Sequence, residues 1–388
     1  MTPMFKRPLL ISSLTLSFLA ACSKPAPAPE PTEQQAIQPT TASSVATLSI
    51  HNPSDFSRPQ EAIYLSAADL GLAETEVQNS AFIATSTKGQ QPSQWIDRNA
   101  DGQKDTLVLS PTLSAGETLE LQITAGTAAV LPKQTQAEIS QKTGGQWQDA
   151  KYIGGSFENV TELTPPAQYT DHSEWIRYEG PGIESDKVGY RIYLDWRNGF
   201  DVFGNKTGKP VLHQVGLDGY QSYHEMADWG MDLLKVGKSL GAGGFGYWDG
   251  ENVQLVSNVS GHSAKVIENG ALYSALQIQY KDWQIAGKST QLTANLAMTA
   301  GSRLVHTRLS LTEPLDNIAI GLVKLPNTKL LQGKQDIPGH SWTYLATWGE
   351  QTLTGGKDKL GMAILYKRGA NKTITHDANS HVAVMQPS

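Results

Sequence analysis

Cysteine is nearly absent from this sequence: Cys22 is the only one among 388 residues. A single thiol excludes an internal disulfide framework and a zinc site made of cysteine thiolates. The sequence also lacks an excess of positive charge, because 31 lysines and arginines stand against 37 aspartates and glutamates, for a formal net charge of -6. Without a basic stretch that could neutralise phosphates, nucleic acid is not an expected partner.

Short motifs of other enzyme classes are also missing, among them H-E-x-x-H and paired cysteines. The run over residues 241–246 spells G-x-G-x-x-G, but the surrounding pattern predicts neither a strand before it nor a helix after it. A dinucleotide-binding fingerprint needs both elements, since the helix N-terminus binds the pyrophosphate. We therefore interpret the run as a loop beside a cleft, and the sequence requires no cofactor.

The N-terminus has the pattern of a secretion signal. Lys6 and Arg7 precede an apolar stretch over residues 9–20, and the sequence Leu-Ala-Ala-Cys ends at Cys22. This order matches the cleavage box of bacterial lipoproteins, and the apolar stretch is too short to span a bilayer. The sequence therefore predicts a signal peptide over residues 1–21 and lipidation of Cys22.

Ser23, rather than an aspartate, follows this cysteine, which is the pattern of sorting to the outer membrane of a Gram-negative bacterium. Proline recurs between residues 24 and 41, a composition typical of an extended tether. We therefore expect a disordered tether over residues 22–45 and an outer-membrane lipoprotein held there by its lipid anchor.

Short alternating segments separated by Gly, Pro, Asn and Asp dominate the rest of the chain, which favours an all-β fold. Residues 46–50, 105–109 and 119–124 are the clearest early strands. They predict an N-terminal β-sandwich over residues 46–163. The stiff Thr-Pro-Pro sequence at residues 164–166 marks its end.

Longer alternating segments follow, at residues 272–280, 291–298 and 303–311. Consecutive long strands joined by short turns are typical of an antiparallel sandwich with one packed face and one polar face. The sequence therefore predicts a second, larger antiparallel β-sandwich over residues 167–388.

One predicted strand, over residues 190–197, carries an unusual row of charges. Alternation places Tyr190, Ile192, Leu194 and Trp196 on one face and Arg191, Tyr193, Asp195 and Arg197 on the other. One interpretation is a solvated face with cross-strand ion pairs. The other is a groove in which two guanidiniums bind carboxylate or sulfate groups and a tyrosine stacks on a sugar ring.

Residues 211–248 are the part of the chain richest in polar, reactive and aromatic side chains. A helix over residues 222–236 would align His224, Asp228, Asp232 and Lys235 along one stripe. Such a stripe could place an imidazole beside a carboxylate for proton transfer, and the alternative is a surface helix with ordinary charge pairs. Further candidates in the same stretch are His213, Tyr223 and Trp229.

Oxygen-bearing side chains alternate around a glycine turn, at Asp97, Asn99, Asp101 and Asp105. Calcium loops use this spacing, although an EF-hand would have glutamate where this sequence has Val108, and a strand rather than a helix is predicted to follow. The loop is therefore either a structural calcium site or a hairpin turn stabilised by its Asp and Asn side chains.

Four blocks of the sequence resemble the family called domain of unknown function 4861. They are residues 94–107, 175–186, 190–204 and 224–246, so the resemblance extends over most of the chain after residue 45. Members of this family occur as secreted or lipid-anchored proteins, often beside polysaccharide-degradation genes. The resemblance implies that the C-terminal sandwich is mutarotase-like, as in polysaccharide lyases and other carbohydrate enzymes.

These observations favour a protein that acts on acidic, uronate-containing polysaccharide or oligosaccharide by β-elimination, as a lyase or dehydratase. A uronate C5 proton becomes removable when the carboxylate is neutralised, and Arg191 and Arg197 could neutralise it. The candidate bases are His224 and Tyr193, and the candidate acids are Tyr223 and His213. The expected substrate-binding residues are Arg191, Arg197, Asp195, Trp229 and Lys235, and Asp228 is a further catalytic candidate.

Three other classes of protein stay open. A glycoside hydrolase would use two carboxylates, such as Asp195 and Asp228, about 5–10 Å apart. A non-catalytic glycan-binding lipoprotein would need only aromatic side chains and arginines. A purely structural envelope protein would need neither.

Overall fold

The alternating segments of the sequence pair into antiparallel sheets. The computed structural model describes residues 44–79, 81–333, 341–356 and 358–386, and within them it forms 26 strands and one short α-helix, α1 (Glu74–Asn79). Four 3-10 turns complete the regular structure, at Ala68–Leu70, Arg177–Glu179, Leu212–Gln214 and Ser222–His224. The predicted all-β sandwich fold is confirmed.

The first seven strands form two sheets. They are β1 (Ser44–His51), β2 (Ile63–Ser66), β3 (Phe82–Ser86), β4 (Gly89–Gln91), β5 (Ser93–Ile96), β6 (Thr106–Leu109) and β7 (Thr118–Ala125). One sheet has the order β1-β7-β3-β4 and the other the order β2-β6-β5. Alternate side chains of β6 and β7, including Leu107, Leu109, Leu121 and Ile123, are fully buried between them.

The next strands form a six-stranded sheet with the order β14-β13-β12-β11-β8-β9. Its strands, with the short β10, are β8 (Thr135–Gln148), β9 (Lys151–Val160), β10 (Glu162–Leu163), β11 (Gly182–Ser185), β12 (Val188–Ile192), β13 (Phe200–Asn205) and β14 (Gly230–Asp232). The ladder between β8 and β11 joins residues from both sides of the predicted boundary at 163–167. The division into domains itself stays a prediction.

The remaining strands form three further sheets. They are β15 (Ala242–Trp248), β16 (Val253–Leu255), β17 (Gly261–Asn269), β18 (Tyr273–Ile285), β19 (Lys288–Thr299), β20 (His306–Leu311), β21 (Ile318–Val323), β22 (Thr328–Gln332), β23 (Trp342–Gly349), β24 (Leu360–Lys367), β25 (Asn371–His376) and β26 (Ser380–Met385). Their orders are β10-β17-β18-β19-β20, β16-β15-β21-β26-β25 and β22-β23-β24.

The largest core lies where these sheets pack together. Ile192 and Phe200 from the six-stranded sheet join Phe245 on β15 and Tyr280 and Trp283 on β18, all nearly inaccessible to solvent. Burying large apolar and aromatic side chains is the main favourable term in folding. This core therefore supports the inner face of the strands that carry the candidate site.

The predicted signal peptide over residues 1–21, Cys22 and most of the predicted tether over residues 22–45 lie outside the described residues. The first described strand begins at Ser44. In the part of the chain that the structure describes, no helix is both long and apolar enough to cross a membrane.

The predicted strand over residues 190–197 is wrong beyond Ile192, where β12 ends. The Asp195 carboxylate accepts a hydrogen bond from the Arg197 backbone N–H (2.9 Å), and Asn198 has a positive φ of 39°. These features form a tight turn that breaks the alternation of a strand. As a result Trp196 is 38% exposed, whereas Asp195 and Arg197 are buried.

The glycine-rich run over residues 241–246 is not the loop that we expected, since most of it belongs to β15. Gly241 has a φ of 66°, and a Cβ at this position would lie 1.9 Å from the Phe200 carbonyl oxygen. The glycine therefore permits a close approach of two backbones.

Candidate functional site

Three neighbouring strands bring opposite charges to one face of the six-stranded sheet. Arg191 on β12 lies directly across from Asp201 on β13, and Asp232 on β14 lies across from Phe203 on β13. Residues opposite each other in a ladder share a face, and so do residues two apart on one strand. The register therefore places Arg191, Asp201 and Asp232 on the same face, although the sequence separates them widely.

Arg191 is the centre of the resulting network and is only 2% exposed. Its Nε and Nη2 donate to the Asp201 carboxylate (3.0 and 2.7 Å), and Nη2 also donates to Asp232 (2.7 Å). The hydroxyl oxygens of Tyr193 and Tyr223 accept further bonds from the guanidinium (2.8 and 3.3 Å). Arg191 therefore connects strands inside the protein and does not face solvent.

Arg197 forms a second buried network beside the first. Its Nε donates to Asp195 Oδ1 (3.0 Å), its Nη2 donates to Glu179 Oε1 (3.1 Å), and its Nη1 lies 3.0 Å from Asp171 Oδ1. The guanidinium carbon lies 3.8 Å from the ring centre of Tyr193. A planar cation suits both contacts, carboxylate and aromatic face. Tyr193 thus links the two networks.

A third group lies deeper, on β8 and the turn after residue 176. The Glu138 carboxylate accepts hydrogen bonds from Arg177 and from the hydroxyl of Tyr178, and all three side chains are buried. Gln136 donates to the other oxygen of Glu138 (2.8 Å). Because buried polar groups need partners, this group fixes the turn onto the sheet.

Among the described residues of this region, six buried carboxyl groups face three buried guanidiniums. The acids are Glu138, Glu179, Glu184, Asp195, Asp201 and Asp232, and the bases are Arg177, Arg191 and Arg197. Unpaired buried charge is costly, so some of the acids hold a proton. Burial, together with Asp201, raises the pKa of Asp232 well above its usual value, and burial raises the pKa of Glu184 to about 8.

The segment that leads into these networks has an unusual backbone. Four residues other than glycine have positive φ within eight positions: His172 (57°), Glu174 (60°), Tyr178 (40°) and Glu179 (69°). A left-handed conformation costs a residue with a Cβ roughly 1–2 kcal/mol. Strain of this kind concentrates at functional sites. The His172 backbone N–H donates to Glu179 Oε1 (2.9 Å), which ties the two ends of the segment together.

A pocket of about 440 Å³ lies against this strained segment. The β8–β9 hairpin, residues 174–179 and residues 216–223 enclose it. Its wall contains the aromatic rings of Phe157, Tyr178, Tyr220 and Tyr223 and the charged groups of Lys142, Glu174, Glu179 and Asp218. Aromatic walls with a few charged groups are typical of pockets for small polar ligands.

Tyr220 on the pocket wall lies beside two further polar groups, Asp171 and His172. His172 Nε2 lies 2.8 Å from the Tyr220 hydroxyl, and Asp171 Oδ1 lies 2.6 Å from His172 Nδ1. The Asp171 oxygen makes no hydrogen bond among the described residues, so it acts on the imidazole through its charge alone. An imidazole whose Nε2 carries no proton can accept the phenol proton and so activate the hydroxyl oxygen for proton transfer.

Asp171, His172 and Glu179 also form the one group, among the described residues, of three acidic or histidine side chains whose ligand atoms all lie within 4.8 Å of each other. The Arg197 guanidinium lies against two of them, at 3.0 Å from Asp171 and 3.1 Å from Glu179. A positive charge at this distance opposes a metal ion at the same place. The geometry therefore fits the hydrogen bond between His172 and Tyr220 better than a metal centre.

Burial keeps the Tyr220 phenol protonated and the His224 imidazole neutral, near the pocket. It raises the pKa of Tyr220 to about 12, so the phenol keeps its proton at neutral pH. Burial, with the nearby Arg191, lowers the pKa of His224, so its imidazole is neutral. The His224 ring centre lies 4.7 Å from that of Tyr220 and 4.5 Å from that of Tyr223. A proton donor and a proton acceptor therefore lie side by side.

The predicted helix over residues 222–236 is wrong. Only Ser222–His224 forms a 3-10 turn, and Gly230–Asp232 is β14. Gly230 has a φ of 139°, and a Cβ there would lie 1.8 Å from the Gly204 carbonyl oxygen, a close strand contact that a helix does not make. His224 Nε2 still lies 3.5 Å from Asp232 Oδ2, so the imidazole lies beside a carboxyl group.

The structure brings six of the ten predicted catalytic and binding residues into the two buried networks. They are Arg191, Tyr193, Asp195, Arg197, Tyr223 and His224. Trp229 packs beneath them against Phe203, with 6.1 Å between ring centres. The side chains of His213, Asp228 and Lys235 are exposed instead. The roles of all ten stay predictions.

The candidate calcium residues lie apart from this pocket, in the loop between β5 and β6. The Asp97 carboxylate accepts backbone hydrogen bonds from Ala100, Asp101 and Gly102 (2.7, 3.1 and 2.8 Å). Asp105 Oδ1 accepts one from Arg98 (3.1 Å), and Asp101 and Asn99 bond to each other (2.9 Å). These are the bonds of the hairpin turn that the sequence predicted. Calcium binding stays a prediction.

Sequence patterns missed the residues on the other side of the site. Glu138, Asp171 and His172 come from segments that no alternation or motif singled out, and Tyr220 lies in the polar and aromatic stretch over residues 211–248 but was not chosen from it. One signal was present, since Glu179 and Arg177 belong to the block over residues 175–186 on which the family resemblance partly rested. Asp201 lies close in sequence to Arg197, and Tyr220 lies close to Tyr223; Arg197 and Tyr223 were both predicted site residues.

The fold and the site together define an all-β protein with buried arginine–carboxylate networks beneath an aromatic pocket. The model of the family described as "Domain of unknown function (DUF4861)" matches residues 50–388, and the chain belongs to this family. A relative described as "Uncharacterized protein P7", from Formosa agariphila, is 22% identical over 333 residues, which cover 83% of this chain and 75% of that protein.

Proposed function

We propose that this protein is a carbohydrate-active enzyme that removes a proton from an acidic, uronate-containing glycan and completes a β-elimination, as a lyase or dehydratase. The observation that carries the proposal is the hydrogen bond between His172 and Tyr220, a residue of the pocket wall. A hydroxyl that can pass its proton to a positioned imidazole is the device that proton abstraction beside a carboxylate needs.

Lys142 is the group in the pocket that can neutralise a substrate carboxylate. Its Nζ lies 5.3 Å from the ring centre of Phe157 and 3.8 Å from Glu174 Oε2. Arg191 and Arg197 were the expected candidates, but their donors bind carboxyl groups of the protein. They act in the proposal as positioning residues, because they hold Tyr223 and Glu179 at the pocket.

The proposed elimination balances in bonds and protons. The Tyr220 oxygen takes the C5 proton while its own proton passes to His172 Nε2. The carbon–oxygen bond at C4 breaks, and a C4–C5 double bond forms. The leaving oxygen then receives a proton from Tyr220, which recovers one from His172, so no further reactant is needed.

The test is incubation of the protein, without its first 21 residues and Cys22, with uronic-acid oligosaccharides. Elimination predicts new ultraviolet absorbance from an unsaturated uronate. Mass spectrometry separates the classes: a lyase gives fragments whose masses sum to the substrate, a dehydratase product lacks one water, and hydrolysis adds one. Hydrolysis would support the glycoside-hydrolase alternative, for which Glu174, Glu179 and Asp218 line the pocket.

Two variants assign the reaction to this pocket. Tyr220→Phe and His172→Gln should each lower turnover by about 10²–10⁴-fold, the usual worth of general acid–base catalysis. Neither should change the melting temperature by more than a few degrees, since both side chains are partly exposed. Tyr247→Phe is the matched control, because Tyr247 lies on β15 and does not line the pocket. Full turnover in both pocket variants would place the chemistry elsewhere.

We also propose that the protein is an outer-membrane lipoprotein anchored through Cys22. The proposal rests on the Leu-Ala-Ala-Cys sequence and on Ser23 after it. Several acyl chains on one residue hold a protein firmly to a membrane. Cys22→Ser should therefore move the protein from the membrane fraction to the soluble fraction, or leave it unprocessed. Unchanged fractionation with the outer membrane would contradict the anchor.

A further inference from the structure

The sheet β22-β23-β24 has large apolar side chains on its solvent face. Along β23, Thr343, Leu345 and Thr347 point inward and are at most 3% exposed. Trp342, Tyr344 and Trp348 alternate with them and are 55%, 41% and 47% exposed. We call this outer surface of β22, β23 and β24 the aromatic platform. Concentrated exposed apolar area of this kind marks an interaction surface.

A lysine lies beside each tryptophan on the platform. The register places Lys329 on β22 directly across from Trp348, and Lys367 on β24 directly across from Trp342. Both lysines are exposed, and within the described residues neither has an ion-pair partner. Strands β22, β23 and β24 contain no aspartate or glutamate. The platform is therefore positive, on a chain with a net charge of -6.

Small residues keep the part of the platform next to Trp348 low. Ala346 lies across from Ala363, and Gly361 lies across from Trp348. A Cβ at Gly361 would come within 3.0 Å of the Trp348 ring, so the indole lies against the glycine. Tyr344 and Leu365, which lie across from each other, rise beside this low part, so the face is an open, uneven surface rather than a closed pocket.

We infer that the aromatic platform is a second binding surface, for an extended anionic polysaccharide. Exposed rings stack on the apolar faces of sugars, and lysines beside them pair with carboxylate or sulfate groups. Trp342 and Trp348 are six positions apart on β23, a span of about 20 Å at the rise of a strand. This span exceeds one sugar ring, so the ligand is a chain. The inference goes beyond the proposed pocket chemistry and does not depend on it.

Lysine and tryptophan in register favour this ligand over two other occupants of an apolar face. A second copy of the chain would bring two positive surfaces together, which costs free energy by repulsion. A neutral apolar partner would leave both ammonium groups to be desolvated without a counter-charge. An anionic glycan can stack its sugar rings on the aromatic side chains and pair its negative groups with the lysines at the same time.

The test is affinity electrophoresis of the intact protein, released from the membrane in mild detergent, in native gels. Three gels contain polygalacturonate, dextran sulfate or dextran. We expect retardation by one or both anionic polymers, weaker retardation by dextran, and loss of retardation as salt screens the lysines. Absence of retardation by all three polymers would overturn the inference.

Point variants locate the binding. Trp348→Ala and Trp342→Ala should each raise the apparent Kd for the retarding polymer about tenfold, as truncation of a central aromatic contact does. The double variant Lys329→Gln/Lys367→Gln should weaken binding to the anionic polymers and leave dextran unaffected. Phe56→Ala is the matched control, since Phe56 is a 58% exposed aromatic residue outside the platform. Unchanged binding in the tryptophan variants would overturn the inference.

Two further measurements separate this surface from its alternatives and from the pocket. Sedimentation of wild type and Trp348→Ala tests self-association: a dimer that the substitution dissociates would assign the face to a second copy and overturn the inference. Tyr220→Phe should leave retardation unchanged, because Tyr220 is not on the platform. If the proposed elimination is not observed, the binding result is unaffected. If the platform does not bind a polysaccharide, the test of elimination in the pocket is unaffected.

Discussion

Arg191 shows how burial changes the role of a residue that the sequence places correctly. Strand alternation put it on a charged face, either solvated with cross-strand ion pairs or as a ligand for substrate, whereas the structure buries it among Asp201, Asp232 and two tyrosines. Removing one partner from such a group leaves uncompensated buried charge. Its contribution to function is therefore inseparable from its contribution to folding.

Arg191→Ala should lower the free energy of unfolding by about 3–5 kcal/mol. Urea denaturation measures this loss, and Arg191→Lys should recover only part of it, since an ammonium cannot bond two carboxylates and two tyrosines at once. The exposed Lys235→Ala is the control, with a change of about 0.5 kcal/mol or less. If Arg191→Ala is as stable as the wild type but has lost turnover, Arg191 is a substrate ligand and not a structural residue.

Glu184 is a second residue whose role follows from burial. Its two carboxylate oxygens accept the backbone N–H groups of Val211 (2.8 Å) and Leu212 (2.7 Å), which lead into the pocket wall. Burial outweighs these donors and raises the pKa of Glu184 from 4.5 to about 8. Between these values the folded protein holds a proton that the unfolded chain releases. The contribution of Glu184 to stability is therefore lost as pH rises through that window.

Glu184→Gln should remove this dependence on pH. A pKa that differs by one between the folded and unfolded states corresponds to roughly 1.4 kcal/mol of stability, so wild-type stability should fall more steeply than that of the variant from about pH 5 to pH 8. The glutamine also leaves one N–H without an acceptor, which lowers stability by about 1 kcal/mol at every pH. Urea unfolding across this range measures both effects. Parallel pH profiles would show that Glu184 is ionised in the folded protein.

At the scale of elements, the sequence predicted the presence of strands better than the residues at which they end. Alternation located β7, β18 and β19, because each has one buried and one solvated face. It failed beyond Ile192 and after His224, where an Asp195 turn and Gly230 redirect the backbone. Local pattern carries no information on such contacts, since the partner of Gly230 is the distant Gly204.

Gly230→Ala tests the importance of that contact for the site. The added Cβ would lie 1.8 Å from the Gly204 carbonyl oxygen, and β14 would have to move away from β13. Asp232 would move with it, so both stability and turnover should fall. Gly250→Ala is the control, because Gly250 also has a positive φ of 111° but nothing lies within 4 Å of the new Cβ. Equal effects of the two substitutions would mean that backbone strain, and not the contact, is responsible.

The loop between β5 and β6 gives a prediction of its own. Asp97 accepts three backbone hydrogen bonds within the loop, so Asp97→Ala should lower the melting temperature by several degrees in the presence of a chelator. Calcium binding to the folded state would raise the wild-type melting temperature with increasing calcium, and Asp101→Ala would abolish that rise. If calcium does not change the wild-type melting temperature, the loop is a hairpin turn and not a calcium site.

At the scale of the whole molecule, the site is assembled from segments that lie far apart in the chain. Glu138, His172, Arg191 and Tyr220 reach one region only because β8, β11, β12 and β13 are neighbours in the sheet. Sequence pattern identified the residues that clustered in the chain, such as Arg191, Asp195 and Arg197, and missed those that the sheet brings to them. The positive φ values over residues 172–179 also depend on tertiary contacts, because propensity alone disfavours them.

The pocket and the aromatic platform predict a dependence of turnover on substrate length. A short uronic-acid oligosaccharide fits the pocket of about 440 Å³ alone, whereas a polymer long enough to reach the platform would engage both surfaces. Trp348→Ala should therefore raise KM for a polymer several-fold and leave kcat unchanged, with no effect on either constant for a short oligosaccharide. Steady-state kinetics on both substrates measures this split, with Phe56→Ala as the control. Binding energy from a separate surface is available only to a ligand long enough to reach that surface. An equal loss of kcat/KM on the polymer and on the short oligosaccharide would therefore show that Trp348 supports the pocket itself.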